Sequence, residues 1–155
     1  MTPEAILTAA RAKGWRIACA ESCTGGMVAV ALTAIAGSSD VFDRGFVTYS
    51  NAAKVDMLGV SPATLAQFGA VSQQIALEMA VGALGRSKAD LAVSITGIAG
   101  PGRSEFKPEG RVCFGLVQKG MPTVVETIEF GALGRPGVRI AARDHALAML
   151  LQAMA

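Results

Sequence analysis

Trp15-Arg16-Ile17-Ala18-Cys19-Ala20 is a short, mostly apolar run that passes through Glu21-Ser22-Cys23-Thr24-Gly25-Gly26 into the Ala/Val/Leu-rich segment Met27 to Ala36. The order predicts a buried strand over 15–20, a tight turn and a helix over 24–36. A second run, Leu91-Ala92-Val93-Ser94-Ile95-Thr96, ends the same way, in Gly97-Ile98-Ala99-Gly100-Pro101-Gly102. Strands without hydrophobic alternation need cover on both faces. They therefore predict an α/β fold, a three-layer α/β/α arrangement around a mixed, largely parallel sheet. If the two strands are parallel, both glycine turns fall on the carboxyl edge, where such sheets bind ligands.

The rest of the chain fits that frame. A first helix is expected over 3–13, with Thr2 as cap, Pro3 in its first turn and Gly14 as its stop. Gly45-Phe46-Val47-Thr48-Tyr49-Ser50 reads as a strand, followed by a helix over 52–58 capped by Asn51. Ser61-Pro62 opens another short helix, and Ser72 caps a long one over 73–84. Strands at about 110–118 and 122–130, divided by Lys119-Gly120, read as a hairpin, and a helix from about Pro136 to Ala153 follows. Residues 1–155 are expected to form a single domain.

Composition removes several classes of function. The chain is 52% hydrophobic but only 5% aromatic, so its core must be built from Ala, Val, Leu, Ile and Met. A net charge of +2 with scattered basic residues gives no nucleic-acid tract. No apolar run reaches the roughly 18 residues of a membrane span and no signal peptide is visible, so no membrane partner and a cytoplasmic location are expected. Three cysteines, Cys19, Cys23 and Cys113, and one histidine, His145, argue against a disulfide framework or a metal site. Neither a metal nor another cofactor is expected.

Catalysis in such a chain must manage without a ready imidazole. Ser22 is exposed by its turn at the sheet edge, but a free hydroxyl barely ionises near neutral pH and needs a base. Tyr49, the only tyrosine, ends a predicted strand, and Lys54 follows about one helical turn later, so both can face that edge. To accept a proton Lys54 must be neutral, its pKa falling from about 10.4 to about 7–8, roughly 4 kcal/mol that a desolvated pocket can supply. The plainer roles are open for each residue. Ser22 can cap the next helix, Lys54 can be solvated, Tyr49 can anchor packing, and Cys23 can be a rival nucleophile or a small packed side chain. Glu21 can act as a general acid or orient the turn.

Two further patterns bear on phosphate binding. Gly97-x4-Gly102-Arg103-Ser104 approaches a P-loop, but Arg103 replaces the lysine, Pro101 stiffens the loop, and Glu105 to Gly110 is turn-like where a helix is required. It reads better as a glycine loop lining a site. Arg135, Arg139 and Arg143 recur every four residues and can form a stripe that grips a phosphate or a merely solvated face.

Several of these segments, in this order, resemble the CinA C-terminal-domain family: Glu21 to Gly26, Gly37-Ser38-Ser39, Val47 to Asn51 with Lys54, Leu58-Gly59-Val60, Gly69 to Ser72, and Thr96 to Pro101. The resemblance covers nearly the whole chain. It implies deamidation of nicotinamide mononucleotide to nicotinate mononucleotide and ammonia, with Ser22 as nucleophile, Lys54 as base and Tyr49 as third member of the site. It also implies a small-molecule nucleotide substrate, no metal and a homo-oligomer, a dimer or larger. The substrate is expected to meet Glu21, Thr24, Gly25, Gly26, Asn51, Thr96, Gly97, Gly100 and Arg135, with backbone N–H groups around Thr24 to Gly26 as oxyanion donors and Arg135 on the phosphate. Two departures stand out: after the Thr96 to Pro101 loop Arg103 intrudes in a glycine-rich stretch and Glu109 occupies a valine position in Lys107-Pro108-Glu109-Gly110, and the aspartate expected before Arg135 is Gly134. The competing expectation is a non-catalytic nucleotide-binding or sensor module.

Overall fold

The structure, a computed structural model, describes residues 2–104 and 106–155. The elements are α1 (Thr2–Lys13), β1 (Ile17–Glu21), α2 (Met27–Thr33), β2 (Phe42–Val47), α3 (Asn51–Leu58), α4 (Pro62–Phe68), α5 (Gln73–Gly85), β3 (Leu91–Gly97), β4 (Arg111–Gln118), β5 (Val124–Glu129) and α6 (Arg135–Ala153). The sheet order is β2-β1-β3-β4-β5. β1 pairs parallel with both β2 and β3, whereas β4 is antiparallel to β3 and to β5. Only β4 therefore runs against the others. That is the expected mixed and largely parallel sheet.

The two faces of the sheet differ in side-chain size. Ile17, Cys19, Leu91, Val93, Ile95 and Phe114 point to one face and pack beneath α1, α2 and α6. The opposite face offers Ala18, Ala20 and Ala92 to α5, with α3 and α4 beside it. Small residues here let α5 lie close to the sheet. A Cβ on Gly115 would come within 2.5 Å of the Ala76 carbonyl oxygen, and that same oxygen accepts the buried Ser94 hydroxyl. α3 is equally close to α5, since a Cβ on Gly82 would lie 2.1 Å from the Leu58 carbonyl oxygen. This tight packing fixes where α3, and hence Lys54, stands relative to the sheet.

Element ends follow local chemistry, with some corrections to the sequence reading. The Ser61 and Ser72 hydroxyls cap α4 and α5 as expected, accepting from Thr64 N at 3.4 Å and Ile75 N at 3.2 Å. The cap of α3 is Ser50 and not Asn51: its hydroxyl accepts from Ala53 N at 3.0 Å, and Asn51 is the first helical residue. The helix expected within 24–36 is only Met27–Thr33, because Gly25 and Gly26 hold positive φ and the chain turns again before Gly37. Tyr49 lies two residues past β2, outside the strand expected to contain it. Glu105, in the turn expected over 105–110, lies outside the described residues.

Candidate active site

The carboxyl ends of the parallel strands β1, β2 and β3 deliver Ser22, the Thr48–Tyr49 segment and the 97–102 loop to one edge. Between them is a cavity of about 300 Å³. Of the residues expected at the site, Ser22, Tyr49, Asn51, Lys54, Thr96, Gly97, Gly100 and Arg135 line it. Cys23, Ala70, Val71, Ile98 and Arg103 line it too.

Lys54 has the most constrained environment. It is 1% exposed, and its Nζ lies 3.0 Å from Ser22 Oγ, 3.0 Å from the Thr48 carbonyl oxygen and 3.2 Å from that of Tyr49. Burial lowers its pKa from the ordinary 10.5 by disfavouring the ammonium. As an ammonium Lys54 donates to all three oxygens; once neutral, with an N–H on each carbonyl, its lone pair is free to take the proton of the Ser22 hydroxyl, which itself lies 3.5 Å from the Tyr49 carbonyl oxygen. No imidazole competes for the role, because His145 packs against Phe114, with ring centroids 4.5 Å apart, and is absent from the cavity lining.

Cys23 also lines the cavity, but its chemistry is suppressed. Burial, above all, pushes its thiol up to about 12, so it remains protonated at neutral pH. Between the two nucleophile-capable neighbours, only Ser22 has an adjacent base.

Tyr49 reaches the cavity, as its spacing suggested, and its main chain and side chain do different things there. Its main-chain carbonyl reaches Lys54, while its phenol, on a side chain of a residue 60% exposed, accepts a hydrogen bond from Arg135 Nη2 at 2.6 Å. The phenol hydrogen is thereby left to point at a ligand. Arg135 is the first residue of α6 and not part of the preceding loop, and its Nη1 donates to the Gly100 carbonyl at 2.7 Å. Both partners are neutral oxygens, so its positive charge is available to an anionic group.

Glu21, Thr24, Gly25 and Gly26 do not line the cavity. Glu21 is 1% exposed and faces α2 from the end of β1: it accepts the Thr24 hydroxyl at 2.7 Å, Val28 N at 3.0 Å and Ala29 N at 3.1 Å. The N-terminal residue of α2 is preceded by Gly26, which has no side chain to cap it, so a carboxylate from the strand satisfies the first-turn N–H groups. Gly25 N donates to the Ser22 carbonyl at 3.0 Å and is already committed. Thr96 lines the cavity, but its hydroxyl donates to Ala70 O at 2.8 Å and braces the 69–72 loop.

The arginine stripe separates into three jobs. Arg135 faces the cavity, and Arg139 crosses the nucleophile turn, donating from Nε to Cys23 O at 3.1 Å and from Nη2 to Thr24 O at 3.5 Å. Arg143 makes an exposed ion pair with Asp144. The sequence reading missed the role of Arg139. Its helical offset from Arg135 was visible, but the turn it meets is 116 residues away in the chain.

Comparisons with known proteins agree with the resemblance read from the sequence. Residues 2–154 match the CinA C-terminal domain family. The nicotinamide-nucleotide amidohydrolase PncC of Enterobacter agglomerans is 53% identical over 148 residues, covering 95% of this chain and 90% of that protein. The protein of the same name from Escherichia coli K12 is 59% identical over 112 residues, 72% of this chain and 68% of its own. The crystal structure of the competence/damage inducible protein CihA from Agrobacterium tumefaciens superposes with a TM-score of 0.94 at 50% identity, covering 99% of this chain and 93% of that one. With a family match over nearly its full length, relatives above half identity and the same fold, this chain belongs to the CinA C-terminal domain family.

Proposed function

We propose that this chain is a nicotinamide-nucleotide amidohydrolase that converts nicotinamide mononucleotide to nicotinate mononucleotide and ammonia. The observation that carries the mechanism is the 3.0 Å contact between Ser22 Oγ and the buried Lys54 Nζ. The relatives named for this activity supply the substrate class.

Ser22 Oγ attacks the carboxamide carbon as Lys54 takes its proton. The N–H of Cys23, which follows the nucleophile and lines the cavity, is the candidate donor to the oxyanion, and it has no hydrogen-bond partner in another of the described residues. The resulting Lys54 ammonium returns its proton to the amide nitrogen, ammonia departs, and an acyl-serine remains. Water, deprotonated by Lys54, attacks the ester, and collapse restores Ser22 and releases the carboxylate. The pyridinium charge of the substrate withdraws electrons from the carbonyl and assists both attacks.

At the other end of the cavity Arg135 is assigned to the 5′-phosphate, and Tyr49, its phenol held by Arg135, donates to the ribose or the carboxamide. Asn51, Thr96, Gly97 and Gly100 complete the wall. In this reading the 1–155 chain acts as one catalytic domain in the cytoplasm, as a homo-oligomer. No helix among the described residues is long and apolar enough to cross a membrane.

The direct test is ammonia release from nicotinamide mononucleotide by the purified protein and by Ser22→Ala. The wild type should turn over, while the variant should lose ammonia release and keep nucleotide binding. Full turnover by Ser22→Ala would remove that residue from the mechanism. Binding without turnover in the wild type would make the chain a nucleotide sensor.

A further inference from the structure

We infer that Glu109 is a positioning residue that sets selectivity for the phosphorylated nucleotide, a reading that rests on the function proposed above. Its carboxylate joins two loops that are distant in sequence. Oε1 accepts from Gly102 N at 2.7 Å, and Oε2 accepts from Gly134 N at 3.1 Å. The first bond holds the loop between β3 and β4; the second holds the residue immediately before α6, where Gly134 offers no side chain to cap the helix. A carboxylate at that end also meets the favourable end of the helix dipole.

The same carboxylate lies against Gly100. That residue has a φ of +90°, and a Cβ there would fall 2.5 Å from Glu109 Cδ. On its other side Gly100 offers its carbonyl to Arg135, at 2.7 Å. The loop is therefore held from two directions: by Glu109 through an N–H two residues on, and by Arg135 through a carbonyl. Because Glu109 also ties down Gly134, it controls both the backbone that carries Arg135 and the backbone to which Arg135 is bonded. Its two oxygens are committed to N–H donors, and the guanidiniums that line the cavity are those of Arg135, which follows Gly134, and Arg103, which follows Gly102. A valine at position 109 could make neither bond.

The consequence is a division of labour. Ser22, in the turn after β1, and Lys54, in α3, make no contact with the Glu109 carboxylate, whereas the phosphate end is held by it. Glu109→Gln keeps the size and one acceptor oxygen but sets an NH2 group against one of the two N–H donors. With this variant, kcat/KM for nicotinamide mononucleotide should fall about tenfold, mostly through KM, the scale of one charge-assisted hydrogen bond. Nicotinamide riboside, which lacks the phosphate, should lose much less, so discrimination between the two substrates should drop. Glu109→Asp, which keeps the charge on a shorter stem, should restore part of that discrimination. Equal losses on both substrates, or none on either, would overturn the proposal.

A second measurement does not depend on turnover. Amide hydrogen exchange in the ligand-free protein should show Gly102 and Gly134 protected in the wild type and exposed together in Glu109→Gln. Unchanged protection would refute the clamp even if the enzyme is active. Lost protection in a protein that deamidates neither substrate would leave the clamp standing, reject the selectivity role, and reject the proposed activity.

Discussion

Replacing Lys54 by methionine separates chemistry from stability. Methionine retains the length of the stem and removes the amine, so the 3.0 Å contact to Ser22 Oγ disappears along with the bonds to Thr48 O and Tyr49 O. Loss of a positioned general base costs about 10²–10⁴-fold in rate, or roughly 3–5 kcal/mol of barrier. The folding balance is much closer. Two carbonyls lose a partner at about 1–3 kcal/mol each, but an amine whose charge is disfavoured by burial is also removed. Stability should therefore change by less than the barrier does, within about 2 kcal/mol.

The pH dependence gives the sharper readout. Lys54 has its folded pKa lowered below 10.5, so it is a competent base only above that lowered value. The wild-type rate should rise with pH through it and level off before pH 10.5. Stability should follow the same direction: below the folded pKa both states carry the proton and the cost of burying an ammonium is fully present. The cost diminishes as pH rises through the window up to the unfolded value, because the unfolded chain binds more protons there. In Lys54→Met both the acid limb of kcat and this slope should vanish. Initial rates of ammonia release over a pH series, paired with urea unfolding at each pH, measure both. A variant that keeps the acid limb, or that loses less than about tenfold, would show that Lys54 is not the base.

Two further substitutions test the supports of the site. Glu21→Gln should destabilise the fold by about 2–4 kcal/mol in urea unfolding, since the new NH2 faces an N–H donor and the bonds to a charged acceptor are lost. A change under about 0.5 kcal/mol would mean that the carboxylate is not the cap of α2. Gly82→Ala, usually a stabilising change in a helix, should here cost about 1–3 kcal/mol because its Cβ would press on the Leu58 carbonyl at 2.1 Å. The displaced α3 should also slow turnover by moving Lys54, and a stabilised, fully active variant would contradict the close packing of α3 on α5.

Local order along the chain already determined much of this protein. Apolar runs ending in glycine turns specified strands buried on both faces, and the hydroxyl caps at Ser61 and Ser72 marked two helix starts because capping depends on residues only three apart. The spacing of Tyr49 and Lys54 after a strand brought both to the cavity. Tertiary structure decided how their atoms are used. Glu21 and Glu109 lie outside the helices they cap, Arg139 meets a turn more than a hundred residues away, and the Tyr49 phenol is bonded to an arginine 86 residues further on. Periodicity can place a side chain on a face of its own element. It carries no information about which donor from another element will arrive there, because that depends on how closely the layers pack, and here the small residues between the sheet, α5 and α3 set that distance.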